Sequence, residues 1–189
     1  MSTVPRTNYH HGQLRPALIA EARTLLDAGG PAAVSLREAA RRAGVSATAS
    51  YRHFADKDAL LAAVAAEGFR EFGEALAAPI RQGKPFSEMG RAYVEFALTH
   101  PGLFRLMFSP LIAKRHEHPD LAAGADRAFE ALRVAAGANV VGGEDGQTAA
   151  IAAWAIVHGL SHLLLDGVLP RNDVVNLLDG VLNPSSRNL

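Results

Sequence analysis

The chain is predicted to be all-α, with about nine helices in two modules. Two observations carry that prediction: nearly every segment repeats its apolar residues at helical and not alternating spacing, and Ser35, Ser46 and Asp56 each stand where a side chain would cap a new helix. No internal repeat or low-complexity tract interrupts the pattern. At 189 residues and 49% hydrophobic, the chain can bury one sizeable core or dock a small module on a larger one, which excludes a disordered tail or a collagen-like fibre.

The first helix is expected from about Gln13 to Ala28, with Leu14, Leu18, Ala22 and Leu25 on one face. Pro16 falls in its first turn, where the missing N–H costs nothing, and Gly29-Gly30-Pro31 supplies a stop. Ser35 and Glu38 then form a capping box, and Gly44 suits the left-handed position that ends a short helix near Ala43. Ser46 caps a second short helix, Ala47 to about Phe54, and Asp56 caps a long one whose buried stripe reads Leu61, Ala65, Gly68, Phe72, Leu76.

Two short helices joined by a tight glycine turn describe a helix-turn-helix and an ordinary helical hairpin equally well. The side chains favour the former. Thr48, Ser50, Tyr51, Arg52 and His53 crowd the second helix and Lys57 opens the next, all types that donate to phosphates or base edges. Charge leans the same way: residues 1–60 hold eight Lys/Arg against five Asp/Glu, leaving +3 there and −3 in the remainder of a chain of net charge zero.

The run LREAARRAGVSATASYRHFADKDALLAAV, Leu36 to Val64, resembles the DNA-binding module of tetracycline-repressor-like (TetR family) regulators. It matches the family pattern at Ala40, Gly44, Val45, Ser46, Tyr51, His53, Phe54, Lys57 and Leu60. The resemblance implies that Tyr51, His53 and Lys57 clamp the phosphate backbone, that Ser35 and Arg37 contact it from the preceding helix, and that Ser46, Ala47, Thr48, Ser50 and Arg52 face the DNA. One departure is Ser50, where the family usually has an apolar residue. Ala47 and Ala49 are too short to hydrogen-bond a base, so readout would lean on thymine methyl contacts and DNA shape. An N-terminal arm with Arg6, Tyr9, His10 and His11 would add groove or phosphate contacts, or be a disordered tail.

Residues 1–57 are thus expected to bind DNA and residues 58–189 to bind a ligand and dimerise. In the second module a helix near Phe86–Thr99 puts Met89, Tyr93, Phe96 and His100 on one face, and a break at His100-Pro101-Gly102 precedes Leu103 to Phe108. The candidate ligand site joins Tyr93, Phe96, His100, Phe104, Met107 and Phe108 to Trp154, His158 and His162, although plain core explains such a cluster as readily. The helix from about Thr148 to Leu165 is apolar nearly all round, so two of its faces should be buried. Ile156, Leu160, Leu163 and Leu164, with Val174, Val175, Leu178 and Val181 of a last helix near Asp173–Leu182, would form a four-helix dimer interface. The stretch WAIVHG, Trp154 to Gly159, resembles the tryptophan-histidine-glycine signature of one TetR subgroup.

Sharper chemistry finds little support. His158 and His162 stand at i and i+4 but lack a third ligand, and His116-Glu117-His118 reads as a solvated loop, so neither a metal nor another cofactor is expected. An enzyme using His158 or His100 beside Asp166 would lack a nucleophile elbow, a phosphate loop or a dinucleotide fingerprint. The absence of cysteine fits a reducing cytosol, and neither the polar start MSTVPRTNYHHGQ nor any run near ~18 consecutive apolar residues suggests export or a membrane span, so a cytoplasmic protein is expected. The expected function is a homodimeric repressor on palindromic double-stranded operator DNA, released by a small apolar effector. The alternative is a DNA-binding regulator or scaffold without an effector.

Overall fold

The structure is a computed structural model that describes residues 13–138, 146–171 and 174–182. These residues form nine α-helices and one 3-10 helix, with no strand among them. Helix α1 spans Leu14–Ala33, α2 Leu36–Arg42, α3 Ala47–Ser50, α4 Lys57–Arg81 and α5 Phe86–Thr99. They are followed by α6 at Pro101–Met107, the 3-10 helix at Pro110–Glu117, α7 at Pro119–Gly137, α8 at Gly146–Leu165 and α9 at Val174–Leu182.

Helix α4 organises the molecule. Its predicted stripe of Leu61, Ala65, Gly68, Phe72 and Leu76 is buried, with Phe69 beside it. The helix packs against α1, α5, α6 and, most extensively, α7. Helix α8 completes the larger module by packing on α5 and α7, while α9 lies on α5. Gly68 has a steric role: a Cβ there would come within 2.8 Å of the Leu103 side chain, which is fully buried and would have to shift to admit it.

Helix α1 differs from its expected end near Ala28. Gly29 and Gly30 leave helical geometry, as the Gly-Gly pair predicts, but Pro31 starts one more helical turn that reaches Ala33. The charged segment at residues 116–118, expected as a loop, mostly lies in the 3-10 helix begun by Pro110 and capped by Ser109. Along helix α8, Gln147–Leu165 is, by length and composition, apolar enough to cross a membrane, and only 28% of that window is buried inside the chain. The single chain covers one of its two apolar faces and leaves the other open: Ile151, Ile156 and Leu163 are 47%, 49% and 43% exposed.

Candidate nucleic-acid interface and apolar cavity

The helix-turn-helix is assembled from local capping chemistry. The Ser35 hydroxyl accepts from the Glu38 N–H at 3.1 Å. Helix α2 ends in a Schellman motif, with Gly44 at φ 72°, its N–H donating to the Arg41 carbonyl and the Val45 N–H to that of Ala40. Ser46 caps α3 through the Ala49 N–H, and Asp56 caps α4 through the Ala59 N–H at 2.8 Å. The return half of the expected capping box does not form. Glu38 instead receives Arg41 through both carboxylate oxygens and Arg42 through one, which holds its carboxyl down at about 2 and occupies both arginines on their own helix.

Regular helix in the second element stops at Ser50, short of the expected Phe54. The chain tightens into i to i−3 bonds, Arg52 to Ala49 and His53 to Ser50, that pull Phe54 into the core. Ser50 is a correction. It is fully buried and its hydroxyl donates to the Ala47 carbonyl at 2.7 Å, so it fills the apolar slot and does not face DNA. Arg37, Thr48, Tyr51, Arg52 and His53 are exposed, and Ala47 and Lys57 partly so. Tyr51 is 51% exposed, which leaves its ring and hydroxyl accessible to a partner outside the chain. Arg37, Arg52 and Lys57 have no ion-pair partner among the described residues, leaving their charge for phosphate. Arg6, Tyr9, His10 and His11 lie outside the described residues.

In the larger module, α4, α5, α7, α8 and the 3-10 helix border a partly open cavity of about 300 Å³ lined by Phe69, Phe72, Leu76, Tyr93, Phe108, Ile112, Ala125, Ala128, Phe129, Leu132 and Trp154, with Arg115 and Asp126 at its rim. Six of the chain's twelve aromatic residues line this one space. The Trp154 indole N–H donates to the Tyr93 hydroxyl at 3.0 Å, and that hydroxyl lies 2.8 Å from Nδ1 of His158. Burial pushes the Tyr93 phenol up. Burial, and then the nearby His162, push His158 down, which favours the neutral imidazole.

Of the nine candidate ligand residues, Tyr93, Phe108 and Trp154 line the cavity. His158 stands outside that lining, bonded to Tyr93 and packed edge-on against Phe108. Phe104 and Met107 are fully buried core, because α6 turns that face onto α4, and the His162 ring packs on Phe104 and His158. Phe96 and His100 belong to a separate, shallow surface depression. His100 serves a junction: its Nδ1 lies 3.3 Å from the guanidinium of Arg23 on α1, which also approaches Asp27 and Glu71. The residues that sequence reading missed are Phe69, Phe72 and Leu76 on α4, Ile112 on the 3-10 helix, Ala125, Ala128, Phe129 and Leu132 on α7, and the rim pair. The α4 residues have the right spacing, but that pattern signals burial without telling core from cavity.

The dimer residues also divide. Leu160, Leu164 and Leu178 are 7%, 0% and 1% exposed, so the single chain already consumes the surface they would offer a second one. Ile156 and Leu163 remain on the open face of α8 with Ile151, Ala152, Ala155 and Gly159, while Val174 is half-buried. The side chains of Val175 and Val181 lie outside the described residues. The structure does not bring His158 or His100 beside Asp166 among the contacts of the described residues: His158 engages Tyr93, His100 engages Arg23 and Asp166 engages Arg105. Among the described residues no group of three or more His, Asp or Glu is placed to hold a metal ion.

Residues 18–64 match the family model described as bacterial regulatory proteins, tetR family, and residues 86–181 match that of the tetracyclin repressor-like C-terminal domain. No curated protein sequence matches the chain. Among solved structures, a protein of unknown function from Rhodococcus sp. RHA1 is 30% identical over 95% of this chain and 98% of its own, with a TM-score of 0.77. The fold is also similar to that of the multidrug binding protein EbrR complexed with imidazole, 23% identical over 93% of this chain and 97% of its own, with a TM-score of 0.63. NalD, the secondary repressor of the MexAB-OprM multidrug efflux pump in Pseudomonas aeruginosa, is 22% identical over 92% of this chain and 93% of its own, with a TM-score of 0.61.

Proposed function

The chain belongs to the TetR family of bacterial transcriptional regulators, and from that premise we propose that it is a cytoplasmic homodimeric repressor whose grip on a palindromic operator is released when a small apolar effector fills the aromatic cavity. The observation that carries this reading is the pairing, in one chain, of a capped helix-turn-helix with exposed cationic and aromatic residues and a 300 Å³ cavity that its own side chains leave open. In this reading residues 1–57 meet DNA, residues 58–189 sense and dimerise, and α4 runs from one into the other.

Tyr51, His53 and Lys57 contact phosphates, with Arg37 and the Ser35 hydroxyl, while Thr48 and the methyl groups of Ala47 and Ala49 meet base edges. The second copy seats on the open face of α8. Ala152, Ala155 and Gly159 keep that face low, and a Cβ added at Gly159 would meet nothing within 4 Å, so two α8 helices can approach closely across a two-fold axis with Ile156 and Leu163 packed between them. Such a dimer would set its two reading helices about one DNA turn, ~34 Å, apart.

The test is selection of binding sites by the full chain from random duplex DNA, followed by salt titrations. Two-fold symmetric sites should be enriched, Lys57→Ala should lower the salt slope by about one per half-site, and Tyr51→Ala should weaken every selected site alike. Enrichment of asymmetric sites, or an unchanged slope, would contradict the assignment.

A further inference from the structure

Resting on the reading of the cavity as an effector site, we propose that its ligand is an uncharged aromatic compound of two rings, and that Tyr93 sets this selectivity by engaging the Trp154 N–H and His158, so that the inner wall away from the Arg115–Asp126 rim offers a ligand no free donor from Trp154. Size comes first. A cavity of about 150 Å³ in a protein core holds benzene, so a space of about 300 Å³ suits a two-ring arene.

The wall specifies what kind of molecule that is. Phe69 meets Phe108 edge to face at 5.5 Å, Phe72 meets Tyr93 so at 4.9 Å and Phe129 meets Trp154 so at 6.0 Å, an arrangement that presents both ring faces and ring edges for further aromatic contacts. The polar groups are already spent. An indole has a single donor and no acceptor, and that of Trp154 is given to Tyr93, whose hydroxyl is held from its other side by His158. A sugar, nucleotide or peptide entering this wall would therefore leave its own polar groups unpaired. Charge fares no better, since the ionic groups at the cavity are Arg115 and Asp126, 3.8 Å apart at the rim and 48% and 72% exposed, and their opposite charges cancel. A single hydroxyl on the ligand fits only at this wet end.

Calorimetry on the full-length chain tests the assignment with naphthalene, 2-naphthol, decan-1-ol, 1-naphthoate and (1-naphthylmethyl)trimethylammonium as probes. The two uncharged arenes should bind at least tenfold tighter than the other three. Ala128→Phe, or the half-buried Ala125→Phe if the first variant does not fold, should weaken them at least tenfold and leave DNA binding intact. Tyr93→Phe should free the Trp154 N–H, raising affinity for the carbonyl compound 1-tetralone relative to naphthalene by at least threefold, a change that mere loosening of the core would not produce.

If decanol or either ion binds tightest and the cavity-filling variants still block it, the aromatic assignment falls and the effector reading stands. If no probe binds the wild-type chain, both fall. An unchanged tetralone-to-naphthalene ratio in Tyr93→Phe overturns the role of Tyr93.

Discussion

In the DNA-facing module the functional side chains lie between Ser35 and Lys57, and each is placed by a cap or turn a few residues away, whereas in the larger module the cavity gathers Phe69, Tyr93, Phe108, Phe129 and Trp154 from four helices and the corner after α6. The first site is built by short-range hydrogen bonds on a surface that stays wet. The second exists only once long-range packing is complete. A local site tolerates change at one residue, while a packed site transmits it, and this contrast sets how each module should respond to substitution.

The largest effect is expected where packing carries everything. Phe104→Ala removes a fully buried ring that packs against Tyr93, Phe108 and His158, and should cost ~3–5 kcal/mol in denaturant unfolding. A cost below ~1 kcal/mol would mean that the aromatic cluster is looser than its geometry indicates. Next comes the proposed contact between two copies of the chain. Ile156→Asp combined with Leu163→Asp should turn the dimer into monomers in sedimentation and weaken operator binding by ~100-fold or more, because two half-sites are no longer engaged together. Persistent dimers would place the second copy on another face.

A smaller effect follows from His158, whose pKa is depressed in the folded chain chiefly by burial and then by His162. A base held below its unfolded value gives stability that is present above about pH 6.5 and lost as pH falls through the lower folded value. Thermal melts should therefore drop more steeply below pH 6.5 for the native chain than for His158→Gln, and identical pH profiles would remove the histidine from the account. The smallest effect belongs to Ser50→Ala. Its hydroxyl serves only its own helix, so DNA affinity should not change, and a tenfold loss would return Ser50 to the DNA face.

How much was legible in the sequence follows the same division. The caps at Ser35, Ser46 and Asp56 and the turn at Gly44 are encoded within four residues of where they act, and all four form. Ser50 misled because a hydroxyl reads as polar, while in the helix it closes on the carbonyl three residues back and packs as a small apolar group. In the larger module, periodicity identified helices and buried stripes but gave no distance between them. Phe104 and Trp154 look equally suited to a pocket, yet α6 turns one into the core and α8 turns the other to the cavity. His100 went to the Arg23 junction for the same reason, since nothing within its own segment signals that α1 lies against that corner.

The proposed mechanism is that the packed cavity controls the local DNA site. Its most direct test is fluorescence anisotropy on the complex of the full chain with a selected operator, titrated with 2-naphthol while calorimetry monitors occupancy of the cavity. Operator affinity should fall at least tenfold as the cavity fills, and Trp154→Ala should abolish this response without altering DNA binding. Operator affinity that stays constant with the cavity occupied would contradict it.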